Sequence, residues 1–160
     1  MFQYRLATVE DVPLLVRFRM DLLRSAVNER DEEKWHYVKE QTSLYYGEAI
    51  PAGTHIAYIA SFGDRYIGTG GVCFYQVVPT YYKPTGKKAY IINMFTDPEF
   101  RRRGVGITIL DLLVKEALKR GATYISLEAT DMGRPLYEKY GFGRLEAEMQ
   151  LKNETYEGPD

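Results

Sequence analysis

Apolar residues in this chain recur at two periods, and the switches between them mark out strands and helices. Phe2 to Ala7 reads as a short first strand. Val12, Leu15, Val16, Met20, Leu22 and Leu23 then follow helical spacing, which predicts a helix over 9–27. Thr8 stands at its N-cap and Asp11 at the third helical position, close to a capping box. Pro13 falls near the first turn, where its missing N–H costs little. A charged break at 28–33 leads into a second predicted helix, 32–46, with Trp35, Val38, Leu44 and Tyr45 as its apolar contacts. Residues 47–53 read as a loop.

Residues 54–62 and 65–75 alternate around Gly63-Asp64, a two-residue turn signal, and predict a hairpin. Gly68, Gly70 and Gly71 weaken its second strand or mark a bulge. A long loop follows over 76–88, with Pro79, Pro84 and the pair Tyr81-Tyr82. Covering a substrate and contacting a second copy are its two readings. Residues 89–96 are near-continuously apolar, as in a central strand buried on both faces. A helix is predicted over 105–120, with Thr108, Asp111, Lys115 and Lys119 as its wet stripe and Gly121 as its C-terminal cap. A strand over 123–129, a short helix over 131–140 and an alternating last strand over 142–151 complete the pattern. The tail 153–160 is polar. The layout is α/β (α+β): one domain over 1–152, with a mixed, twisted sheet of six to seven strands and about four helices.

Composition narrows the function. The chain has 160 residues and a formal net charge of −1, so it lacks the basic field expected of a nucleic-acid partner. It has one cysteine, Cys73, and two histidines, His36 and His55, too few for a recognisable metal-ligand cluster. A lone cysteine forms no internal disulfide and suits a reducing cytoplasm. The N-terminus carries no signal-peptide pattern, and no apolar run approaches the roughly 20 residues of a membrane span. Fourteen tyrosines, apolar in body and polar at the tip, suit a cleft or an interface.

The chemistry concentrates at Arg101-Arg102-Arg103-Gly104-Val105-Gly106, between the central strand and the helix after it. The first turn of a helix carries N–H groups without internal partners and a partial positive charge. Glycines remove the Cβ atoms that would hold an anion away. Such a turn fits a phosphate or pyrophosphate. It is not a P-loop, which needs Gly, four residues and Gly-Lys-Ser/Thr. It is not a dinucleotide fingerprint either, because Ile109 stands where the third glycine belongs.

The string Arg-x-x-Gly-x-Gly at a helix start resembles the acyl-CoA signature of the GCN5-related N-acetyltransferase superfamily. Asn93 to Arg101 resembles that family's fourth strand and the proline turn after it. Leu136-Tyr137-Glu138-Lys139-Tyr140-Gly141-Phe142 resembles its late Leu-Tyr-Glu-Lys-x-Gly-Phe motif. The resemblance implies acetyl-CoA as cosubstrate, its pantetheine arm lying between strands four and five. It implies contacts from the backbone of Met94, Phe95 and Thr96 to pantetheine. The pyrophosphate would be held at Arg101, Arg102, Arg103, Gly104, Val105, Gly106 and Ile107. It gives Tyr137 the role of acid toward the departing thiolate, and Glu128 that of the base on the amine. Asn93 can order a water but cannot act as a base. In this family the first helices wall the acceptor cleft, which brings Asp31, Glu33, Trp35, Tyr37 and Tyr45 into consideration. One departure is plain: many members carry an asparagine after strand five, whereas this chain reads Asp131-Met132-Gly133-Arg134. The implied activity is N-acetyl transfer to a primary amine, on a small molecule or a protein, by direct attack on the thioester. The competing reading is a non-catalytic acyl-CoA-binding or sensing module. A homodimer is consistent with the resemblance.

Overall fold

A computed structural model describes residues 1–151 of the chain. Five strands form one sheet in the order β1 (Phe2–Leu6), β2 (His55–Phe62), β3 (Arg65–Gln76), β4 (Lys87–Thr96) and β5 (Tyr124–Leu127). All neighbours are antiparallel except β4 and β5, which run parallel. Helix α1 (Val12–Ala26) follows a 3₁₀ turn at Val9–Asp11, and α2 (Glu32–Ala52) precedes β2. Helix α3 (Val105–Lys119) is the parallel crossover between β4 and β5, and α4 (Arg134–Tyr140) follows β5.

Two apolar layers hold the sheet. On one face Val105, Ile109, Leu110 and Leu113 of α3 pack with Ile67, Val72 and Ile91. Ile109, Leu110 and Leu113 are fully buried, and each such side chain contributes on the order of 2–3 kcal/mol by leaving water. On the other face Val12, Leu15 and Val16 of α1 and Trp35 and Tyr46 of α2 pack with Ala57 and Ile59. At the start of the helical region Asp11 accepts the Thr8 amide at 2.8 Å and both guanidinium nitrogens of Arg5 at 2.8 Å. This ties the entry of α1 to β1.

The structure departs from the sequence pattern in three places. The sheet has five strands among the described residues, not six to seven. The alternating stretch 142–151 forms no strand, because no strand among the described residues pairs with it. Helix α2 runs through the expected loop at 47–53. Burial of Tyr46 and Ala49 outweighs the roughly 1 kcal/mol that Gly47 costs inside a helix. Gly53, at φ +75°, ends it. The last helix starts at Arg134 rather than 131, after a turn in which the Thr130 hydroxyl accepts the Gly133 amide at 3.2 Å. The polar tail 153–160 lies outside the described residues.

Candidate active site

The turn from β4 into α3 is held rigidly from outside. Phe100 is buried and meets Phe2 and Phe62 at centroid distances of 6.2 and 5.7 Å. Asp97 accepts the Glu99 amide at 3.0 Å, and Arg65 bridges Asp97, at 2.6 Å, to Glu99. Arg101 donates to the Thr96 carbonyl at 3.2 Å. Two left-handed residues, Arg102 at φ +60° and Gly104 at φ +85°, then turn the chain into the helix. A Cβ on Gly104 would meet no atom within 4 Å, so glycine serves the backbone angle there and not the space. Among the described residues, the amides from Arg102 to Ile107 have no acceptor; the first helical bond is Thr108 to Gly104 at 3.1 Å. The turn is therefore a row of free N–H donors at the positive end of a 15-residue helix. Arg102 and Arg103 are exposed, and the Arg103 guanidinium lies 5.3 Å from the centre of the Phe100 ring.

Beside this turn the sheet opens. Pairing of β4 with β5 stops at Ile91 opposite Leu127, while β4 continues to Thr96, paired among the described residues only to β3. Met94, Phe95 and Thr96 therefore present an unpaired backbone edge toward the gap. Within that stretch β4 carries a bulge, in which Asn93 and Met94 face the single residue Gly70. Asn93 adopts φ +60°, a conformation asparagine tolerates better than most residues. Its side chain is committed: the carbonyl accepts from Arg19 at 2.7 Å, and the amide donates to Tyr46 at 2.5 Å. These bonds use one of its two amide donors and one of its two acceptor lone pairs. The missing side chain at Gly70 makes room for Met94, whose sulfur would lie 2.5 Å from a Cβ placed there. Phe95 packs against Phe18 at 5.5 Å. The glycines hinted at the bulge, but nothing local in the sequence announced the Arg19–Asn93–Tyr46 chain, which spans 74 positions.

Helix α4 places Tyr137 close by. Leu136 lies against Gly106 of the turn, and the Tyr137 ring lies over Gly133. Tyr137 is buried, and burial raises its hydroxyl pKa above the usual 10. Among the described residues that hydroxyl has no hydrogen-bond partner. It lines a cleft of about 630 Å3 with β5 and residues 142–145. The neighbouring Tyr140 is held differently, donating to Asp111 at 2.9 Å.

Glu128 stands just past the end of β5 and is exposed. It lines a second pocket of about 330 Å3 with Cys73, Tyr75, Tyr90 and Glu148. Ser126, Leu127 and Glu148 belong to both hollows, so the phenol and the carboxylate approach the same stretch of β5. Arg134, in the segment that lacks the asparagine, lines the larger cleft and pairs with Asp131 at 2.9 Å.

Residues of the first helices divide by role. Asp31 caps α2 by accepting the Lys34 amide at 3.0 Å, and Trp35 is buried, donating to the Glu29 carbonyl at 3.0 Å. Glu33 and Tyr37 are exposed. Tyr45 turns inward: its hydroxyl lies 3.0 Å from His55 Nδ1 and 3.2 Å from Cys73 Sγ. His55 is buried, and desolvation drops its pKa to about 4, so the ring is neutral at pH 7. Burial likewise pushes the Cys73 thiol up, which makes it a poor nucleophile.

A free-amide turn, a sheet that splits beside it and a phenol on the following helix together make a groove whose donors suit an extended anionic ligand. The family comparison agrees. The profile of the acetyltransferase (GNAT) family matches residues 20–142, most of the chain. The chain belongs to the GNAT acetyltransferase family. Its structure resembles a predicted acetyltransferase from Clostridium acetobutylicum, solved with acetyl-CoA. That likeness has 30% identity and a TM-score of 0.89, covering 99% of this chain and 100% of that one. It also resembles a GCN5-related N-acetyltransferase from Ralstonia eutropha JMP134, at 25% identity and TM-score 0.84, covering 95% and 98% of the two chains. A shorter match, 36% identical over 53 residues, joins it to the uncharacterized N-acetyltransferase YafP of Escherichia coli (strain K12). That match covers 33% of this chain and only 32% of YafP. No helix among the described residues is long and apolar enough to cross a membrane.

Proposed function

We propose that residues 1–152 form a catalytic unit that moves the acetyl group of acetyl-CoA to a primary amine, without an acyl-enzyme. The observation that carries this reading is the row of unpartnered amides from Arg102 to Ile107 beside the open edge of β4. The diphosphate takes the amides of the turn, with charge from Arg102 and Arg103 added. Arg101 acts mainly by bracing the turn through Thr96. The pantetheine amides pair with Met94, Phe95 and Thr96 as an added strand would. The bulge directs a backbone N–H near Phe95 at the thioester carbonyl, where negative charge develops during attack.

An ammonium ion has no lone pair, so the acceptor must first lose a proton. Glu128 takes it, through water, at the mouth of the smaller pocket. The amine nitrogen then bonds to the carbonyl carbon, the C–S bond breaks and Tyr137 protonates the departing thiolate, while the second proton leaves the nitrogen to solvent and the phenolate regains a proton from solvent. Burial suits Tyr137 to this role, because it keeps the phenol protonated across the neutral range. The neutral, desolvated Cys73 thiol supports direct attack over a covalent intermediate. Two carboxylates, Glu128 and Glu148, beside the rings of Tyr75 and Tyr90 favour a small acceptor that arrives as a cation.

Release of free CoA thiol over a panel of small amines and amine-bearing peptides tests the proposal. Turnover on a cationic amine, lost in Tyr137→Phe with acetyl-CoA binding intact, supports it. Tight acetyl-CoA binding with no turnover on any amine would favour a sensing module instead.

A further inference from the structure

Arg5, Arg24 and Arg65 are exposed, and each pairs with a carboxylate. Arg19 is half-buried, yet among the described residues it pairs with no carboxylate. Its side chain makes one hydrogen bond there, to the Asn93 carbonyl at 2.7 Å. A guanidinium has five N–H donors, so most of its capacity stays open. Drawing a cation out of water costs free energy that an anion must offset. The polar groups around Arg19 supply none. Asn93 is an amide, burial pushes the Tyr46 hydroxyl up to about 12, and burial raises the Cys73 thiol.

The neighbours of Arg19 fix where its charge lies. Phe18, one residue earlier on α1, packs against Phe95 at 5.5 Å. Asn93, in the bulge, is itself held by Tyr46. The guanidinium therefore stands at the bulge of β4, beside the open edge of Met94, Phe95 and Thr96. Its charge also reaches the smaller pocket. Burial raises the Cys73 thiol and the Tyr90 hydroxyl, and Arg19 opposes that rise at both, while Glu128 and Glu148 add to it at Tyr90. These four residues line the pocket of about 330 Å3. The site is thus polarised, with two carboxylates along its wall and one uncompensated cation from α1.

We infer that the acceptor is a small amine that also carries an acid group, a carboxylate or a phosphate, and that Arg19 holds that group. The planar fork of a guanidinium matches either anion through two parallel N–H···O bonds. A simple amine answers only the carboxylates of the pocket. An amine with an acid group answers both charges, and in one orientation: acid toward Arg19, ammonium toward Glu128 and Glu148. Like charge disfavours the reverse orientation at both ends. The inference rests on the acetyl-transfer reading above for the place of the amine.

The test measures thiol release from acetyl-CoA with α-amino acids, β-alanine and O-phosphoethanolamine, each matched with the amine that lacks its acid group. Calorimetric binding of the same compounds to the protein saturated with coenzyme A runs alongside. Preferences are compared as ratios of kcat/KM within each protein, so a loss common to all acceptors cancels. The parent should prefer the acid-bearing member of a pair, the carboxylate and phosphate arms showing which anion is taken. Arg19→Gln should lower that ratio by about 10- to 100-fold, and Arg19→Lys, which keeps the charge, should restore part of it. A parent without the preference, in turnover and in binding, overturns the inference. So does an Arg19→Gln protein with the parental ratio, since the arginine would then serve the thioester or the bulge instead. Failure of the reaction is a separate result. No thiol release, with tighter binding of the acid-bearing amine that Arg19→Gln abolishes, refutes acetyl transfer and keeps the anion site.

Discussion

Acid should weaken this fold through one buried imidazole. His55 is 1% exposed, and burial lowers its pKa to about 4, against 6.5 for the free side chain. That gap corresponds to roughly 3 kcal/mol between the protonation states. The hydroxyls and the thiol facing the ring do not titrate between pH 4 and 7: Tyr45 is raised, Tyr46 is pushed up to about 12 and Cys73 is raised. Above pH 6.5 neither the folded nor the unfolded chain protonates this histidine, and its share of stability is complete. As pH falls from 6.5 toward 4, the unfolded chain takes up a proton that the folded one refuses, and stability drops; below 4 the loss is complete. Most of it, about 2–3 kcal/mol, should be gone by pH 4.5. Urea unfolding of the parent and of His55→Gln at pH 7 and 4.5 isolates the effect from the carboxylates, which both proteins share. The loss on acidification should be smaller in His55→Gln by that amount. Equal losses in the two proteins would refute the assignment.

Tyr137→Phe should lower kcat by about 10²- to 10⁴-fold in steady-state thiol release, with KM for acetyl-CoA and Tm nearly unchanged; half the parental turnover would remove the acid role. Glu128→Gln should flatten the acid limb of the kcat/KM profile against pH, and an unchanged limb would move the base elsewhere. Gly70→Ala places a Cβ 2.5 Å from the Met94 sulfur and 2.7 Å from an Ile109 methyl. It should cost about 1–3 kcal/mol in urea unfolding and lower turnover, because the bulge must shift; a neutral effect on both would show that the bulge is not held by this packing.

Much of this architecture is written in local pattern. The 3.6-residue period of α3, the turn at Gly63-Asp64 and the apolar run of β4 are each stated by neighbours in sequence, and each forms in place. The turn of unpartnered amides was legible for the same reason, since its glycines and the helix after it are contiguous. What escaped depends on distant partners. Helix α2 outruns its loop signal because Tyr46 and Ala49 find a core. Asn93 owes its geometry to Arg19 and Tyr46, and His55 owes its neutrality to burial beneath α2; neither is visible in a window of ten residues. The stretch 142–151 is the reverse case, a clear strand pattern whose partner is not found within the described chain.

The proposed reaction stands on the free amides that open α3 holding the diphosphate of the cosubstrate. Titration of ¹⁵N-labelled protein with coenzyme A, followed amide by amide, tests it most directly. The resonances of Gly104, Val105, Gly106 and Ile107 should shift most, and pantetheine, which lacks the diphosphate, should leave them in place. Saturable binding of coenzyme A with those four amides unmoved would contradict it.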